Sequence, residues 1–167
     1  MLRIINRYKS FINIINSALD FISVLLMLSM CFIVTYQVVM RYVFSNTPSW
    51  TEEVALIMVC WFVYLGAVIG LKEDLHIGIE MFVSKLPKKV LFAVEVVDNL
   101  LILGLSALFM NFGFSLAWFV RNNSLPATGL SVAVYYYVIG IAGILMTLVV
   151  LGKIAEQLIK RRENDDH

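Results

Sequence analysis

Charge is the scarcest feature of this sequence. Asp, Glu, Lys and Arg make up 15% of its 167 residues, against about a quarter in an ordinary soluble domain. Four stretches carry none at all: residues 21–40, 54–71, 99–120 and 122–152. Histidine is as sparse, with His76 the only one outside the polar tail RRENDDH. Cys31 and Cys60 both fall inside apolar runs and form no C-x-x-C. That excludes a dithiol redox site and a disulfide-stapled fold, and each thiol reads as a small apolar filler. No phosphate loop, H-E-x-x-H or G-x-S-x-G occurs. No catalytic, cofactor-binding or metal-binding residue is expected, and the chain is not read as an enzyme.

What is present is hydrocarbon. Hydrophobic residues are 60% of the chain and the mean hydropathy is +0.86. About 20 apolar residues of helix cross a bilayer core, and each uncharged stretch is of that order. The fold class is therefore an all-α integral membrane protein with four transmembrane helices. The spans are placed at about 14–43, 51–71, 90–120 and 131–152, the last beginning after Pro126 and Gly129. Residues 1–167 form a single four-helix membrane domain with no soluble domain. Arg3, Arg7 and Lys9 would suit a signal peptide, but no A-x-A site follows the first apolar run, so that span is expected to be retained.

The basic residues set the orientation. Arg3, Arg7 and Lys9 precede the first span. Lys72, Lys85, Lys88 and Lys89 lie between the second and third, and Lys153, Lys160, Arg161 and Arg162 follow the fourth. Only Arg41 and Arg121 of the 13 lie elsewhere. Positive charge collects on the cytoplasmic side, so both termini are expected inside. Tyr42, Trp50, Trp118 and Tyr135–Tyr137 then fall at the outer ends of spans, where amphipathic rings are favoured. In the inner loop, Leu75, Ile79, Phe82 and Leu86 recur at helical spacing. This predicts an amphipathic helix over about 75–86 lying on the cytoplasmic membrane surface. A strand there would leave its backbone unpaired.

Five groups could carry function. In RYVFSNTPSWTEEVA, residues 41–55, Arg41 complements the C-terminal end of the first helix. Ser49-Trp-Thr-Glu52 has the form of a capping box for the second. A sharper reading is an ion pair from Arg41 to Glu52 or Glu53 across the hairpin. Glu95 and Asp98 share a face near the inner end of the third helix, with Asp20 at similar depth on the first. These read as carboxylates within reach of headgroup water, because the middle of every span is uncharged. His76 sits in a surface loop and cannot supply haem ligands within the membrane. Gly66-Ala-Val-Ile-Gly70 predicts a tightly packed face on the second helix, either inside this chain or against a partner.

The order Arg41-Tyr42, Trp50-Thr51-Glu52-Glu53, Leu65-Gly66-Ala67, His76 and Leu86-Pro87 resembles the small membrane subunit of the tripartite ATP-independent periplasmic (TRAP) transporters of bacteria. The resemblance implies a non-enzymatic subunit in the bacterial inner membrane, in a sodium-driven system for organic anions such as sialic acid or C4-dicarboxylates. Its implied partners are a large multi-helix membrane subunit, a periplasmic substrate-binding protein and membrane lipid, with no nucleic acid. The sodium is expected in the large subunit, leaving this chain without a cofactor. Arg41, Trp50, Glu52 and Glu53 would then belong to the outer surface where the binding protein docks. Two other readings stay open: a small proton-coupled four-helix exporter, and a membrane-anchor subunit of a respiratory enzyme.

Overall fold

The computed structural model describes the backbone of residues 2–72 and 88–165, with side chains for 17–71, 94 and 96–154. The amphipathic helix expected over 75–86 and His76 lie outside the described residues, as does the side chain of Glu95. The described chain is helical: α1 (Leu2–Tyr42), α2 (Trp50–Lys72), α3 (Lys88–Val120) and α4 (Val134–Asp165). Within them, Ser17–Tyr42, Trp50–Leu71, Val96–Val120 and Val134–Ile154 are long and apolar enough to cross a membrane. In a bilayer the helix is the solution that leaves no backbone group unpaired.

The ends of these helices have local causes. α1 stops where Ser45 takes a left-handed backbone (φ 51°). The Asn46 N–H there reaches back to the Met40 carbonyl at 3.1 Å. The fourth helix starts at Val134, not at 131, because the residues before it are paired elsewhere. Ser124 and Ser131 form an isolated antiparallel bridge. The Val132 N–H donates to the Asn123 carbonyl at 2.9 Å, and Leu125 N–H to Leu130 at 2.8 Å. Gly129, at φ 71°, makes the tip of this small hairpin, a conformation that a Cβ disfavours.

The helices lie in the order α1, α2, α4, α3. α2 packs between α1 and α4, α3 packs along α4, and α1 meets α4 only marginally. Leu19 of α1, Leu65, Val68 and Leu71 of α2, and Val138, Ala142, Met146, Val149 and Val150 of α4 form the core, with Ile102, Leu103 and Phe109 of α3 against it. α1 and α3 are thus covered along one side each, and large apolar side chains such as Phe21, Phe32, Leu101 and Phe112 are exposed.

The tightest contact is between α3 and α4, not at the second helix. A Cβ on Gly113 would sit 2.4 Å from the Gly140 backbone nitrogen, and one on Gly143 2.5 Å from that of Met110. Backbone meets backbone here, as small residues permit when helices pack in lipid. The Thr147 hydroxyl donates across the seam to Ser106 at 2.9 Å. Ser106 in turn donates to the Leu103 carbonyl at 2.9 Å. On α2, by contrast, a Cβ on Gly66 would meet nothing within 4 Å, and Gly70 is half-buried. The G-x-x-x-G spacing is there, but no described helix comes close enough to use Gly66.

Candidate functional site

Polar groups converge where the α1–α2 and α3–α4 connections meet. Thr51, fully buried, opens α2 by donating its hydroxyl to the Pro48 carbonyl at 2.7 Å. Ser49 holds the position before the helix, but the reciprocal box predicted with Glu52 does not form. Glu52 turns toward α1 and accepts a hydrogen bond from the Gln37 side-chain amide at 3.1 Å. One turn away the rings of Tyr36 and Trp50 lie 6.2 Å apart, tilted by 30°. These two contacts tie α1 to the start of α2.

Glu53 turns the other way. One carboxylate oxygen accepts the Ala127 N–H at 2.9 Å. The other accepts the Thr128 N–H at 2.8 Å and the Thr128 hydroxyl at 2.7 Å. The carboxylate thereby satisfies two adjacent backbone donors at the turn of the α3–α4 hairpin, a charge-assisted arrangement of the stronger kind. Beside it, the Tyr135 hydroxyl donates to the Glu53 backbone carbonyl at 3.3 Å. Two turns further along α2, the Trp61 indole N–H donates to the Val134 carbonyl at 3.2 Å. Three side chains therefore fasten the start of α2 to the hairpin and to the first turn of α4.

Arg41 is not part of this network. It is exposed at the last turn of α1, and no ion pair joins it to Glu52 or Glu53 among the described residues. The bridge across the hairpin is absent because both glutamates face uncharged donors on other elements. The second lone cation, Arg121, stacks on Trp118 with its guanidinium 3.6 Å from the ring centre, a cation–π contact.

At the opposite end of the bundle, the Lys153 ammonium of α4 donates to the Leu71 carbonyl at 2.6 Å. It caps one of the carbonyls that the last turn of α2 leaves without an intrahelical partner. Asp20 is exposed on α1. Asp98 lines a shallow open depression with Val94, Val97 and Leu101, all on α3. Among the described residues, no group of three or more His, Cys, Asp or Glu is placed to hold a metal ion.

Sequence reasoning singled out Trp50, Glu52 and Glu53 but did not foresee their contacts, nor those of Gln37, Trp61, Thr128, Tyr135 and Lys153. Tyr135 and Lys153 carried a signal, a ring and a cation at span ends. Gln37 and Thr128 carried none, since a neutral partner leaves no mark in a charge pattern.

Comparison with known proteins adds an independent line. A family profile described as the DctQ component of tripartite ATP-independent periplasmic transporters matches residues 30–160. A Haemophilus influenzae protein described as a TRAP transporter small permease is 27% identical over 146 residues, covering 87% of this chain and 91% of that protein. The sialic acid TRAP transporter small permease protein SiaQ of Vibrio cholerae is 32% identical over 76 residues, 46% of this chain and 44% of that one. The C4-dicarboxylate TRAP transporter small permease protein DctQ of the same organism is 30% identical over 70 residues, 42% of this chain and 30% of that protein.

Proposed function

The chain belongs to the DctQ-component family of the tripartite ATP-independent periplasmic transporters, and from that premise we propose that it is the small permease subunit of a sodium-driven, binding-protein-dependent transporter for organic anions. The family is one of transporter subunits and not a catalytic class, and the four spans make the chain a multi-pass membrane protein. In this reading it resides in the bacterial inner membrane with both termini cytoplasmic, a sidedness supported by the basic residues of the sequence. It holds the large membrane subunit in place. The end bearing Arg41, Trp50, Glu52 and the hairpin of residues 121–133 then faces the periplasm, where it forms part of the surface that meets the substrate-binding protein. The transported anion is a carboxylate, of the kind named for the sialic acid and C4-dicarboxylate relatives. Sodium and the anion bind in the large subunit, and this chain carries no cofactor of its own.

The observation that carries the reading is the open row of helices. α1 and α3 are each covered on one side only, so the chain offers two long apolar flanks to another membrane protein. Affinity purification of this chain in mild detergent, with mass spectrometry of what it retains, tests the proposal. A stoichiometric large membrane protein of ten or more spans is the expected companion. Recovery of this chain alone, or as a self-dimer, would refute it.

A further inference from the structure

Polar side chains within the spans are mostly satisfied inside the chain. Ser106 and Thr147 bond to each other, Thr35 donates to the Cys31 carbonyl at 2.8 Å, and Gln37 donates to Glu52. The Ser23 hydroxyl has no partner but is buried, out of reach of any external group. α3 differs. Asn111 and Ser115 are exposed, and neither side chain has a hydrogen-bond partner among the described residues. The span runs from Val96 to Val120, so Asn111 lies about 13 Å along the axis from its end. That depth is hydrocarbon, where neither lipid tails nor water can serve an amide, and leaving it unbonded is costly.

Helical geometry shows where these groups face. Gly113 is buried against Gly140, and Asn111 is about 160° round the helix from it. Asn111 therefore points away from α4. Gly104, Leu108, Asn111, Ser115 and Trp118 follow one another at steps of four, three, four and three, the stripe along which two helices pair in a left-handed crossing. Leu108 and Trp118 are 53% and 66% exposed, and a Cβ on Gly104 would meet nothing within 4 Å. The stripe combines a notch, an unserved amide and a hydroxyl, and no described residue of another helix covers it.

We propose that this stripe is the seam against which a membrane helix of the large subunit docks, with a hydrogen-bonding side chain opposite Asn111 and a bulky one over Gly104. The proposal rests on the small-permease reading and adds the face and the residues. Charge decides against a second copy as the occupant. Copies insert in the same direction, so two α3 helices joined along this stripe would be parallel. Each Trp118 carries Arg121 on its ring, and the pairing would set two guanidinium groups side by side. A different helix can instead offer Arg121 a carboxylate or a carbonyl.

The test compares Asn111→Val and Gly104→Leu with the unaltered chain, each co-produced with its large subunit and purified through a tag on the small one. Alone, both variants should keep their helicity and thermal midpoint, because both positions are exposed among the described residues. In the pair, Asn111→Val should weaken retention of the large subunit by about three- to tenfold, the range for one interhelical hydrogen bond in a membrane. Gly104→Leu should weaken it at least as much. Single cysteines placed at 104, 108, 111 and 115 in a chain lacking Cys31 and Cys60 should cross-link to the large subunit, and one at 112 should not. Unchanged retention in both variants, or cross-linking between two small subunits, would overturn the seam while leaving the small-permease reading intact. An unaltered chain that retains no large membrane protein would overturn both.

Discussion

Replacing Gly113 with alanine should drive α3 and α4 apart, and the structure sets the scale. The added Cβ would lie 2.4 Å from the Gly140 nitrogen, 2.8 Å from its Cα and 3.0 Å from the Ile139 carbonyl carbon. Ordinary contact begins at about 3.4 Å, so the backbones must separate by about 1 Å. All three of these neighbours are backbone atoms, so no rotamer change can relieve the clash. A shift of that size takes the Ser106–Thr147 hydroxyl bond from 2.9 Å beyond hydrogen-bonding distance and thins the contacts of Phe109 and Ile102 with the core. Overpacking of this kind costs about 1–3 kcal/mol, and loss of the hydroxyl pair adds about 0.6 kcal/mol. Better helix propensity returns at most about 1 kcal/mol. The net expectation is a loss of about 1–3 kcal/mol. Gly143→Ala should behave alike, and the double variant should lose less than the sum, because the seam opens once. Gly66→Ala and Gly104→Ala, both into open space, should be neutral or slightly stabilising. Thermal unfolding in detergent, followed through tryptophan emission, reads all five. A Gly113→Ala chain as stable as the parent, or a Gly66→Ala chain equally damaged, would refute the packing argument.

Other substitutions probe the clasps. Glu53→Ala removes the acceptor for Ala127, Thr128 and the Thr128 hydroxyl, so amide hydrogen exchange in residues 121–133 should accelerate at least several-fold while exchange at the middle of α3 is unchanged. Trp61→Phe keeps the ring and removes the bond to the Val134 carbonyl, which should cost about 0.5–1.5 kcal/mol in thermal unfolding. Arg41→Met should leave unfolding of the isolated chain unaltered, since no ion pair is lost; a measurable drop would show that Arg41 supports the hairpin after all.

The spans were legible because hydrocarbon imposes one demand, an uninterrupted apolar helix, and the sequence meets it four times. The start of α2 was legible for a similar reason: Thr51, Glu52 and Glu53 must lie at a helix N-terminus, where acidic groups are favoured. What each glutamate touches was not legible. Arg41 is the conspicuous charge nearby, yet the donors chosen are an amide of α1 and two backbone N–H groups some 75 residues downstream. A carboxylate is served as well by backbone donors as by a cation, and backbone donors leave no trace in composition. For the glycines, the sequence left open which surface they pack against. Gly66 and Gly70 match a familiar spacing on a helix whose described neighbours do not approach Gly66, while the close approach sets Gly113 of α3 against Gly140 of α4, and Gly143 of α4 against Met110 and Ser106 of α3. Spacing within one helix describes a face, and only the partner's position turns that face into a contact.

The distribution of fastenings divides the four helices unequally. In lipid, burying apolar surface does not drive helices together, so association rests on close packing and hydrogen bonds. α3 is joined to α4 by backbone contact at Gly113 and Gly143 and by the Ser106–Thr147 pair. α2 is joined to α4 and its preceding hairpin at both ends, by Glu53, Tyr135 and Trp61 at one and by Lys153 at the other. α1 has one amide–carboxylate bond, one ring contact and the packing of Leu19 and Leu26 against the core. α2, α4 and α3 therefore share most of the described polar and backbone-to-backbone ties, while α1 rests mainly on its packing against α2. A partner on α3 meets a surface held in place by its own backbone. Under the proposed small-permease role, the firmer attachment point is the α3 side.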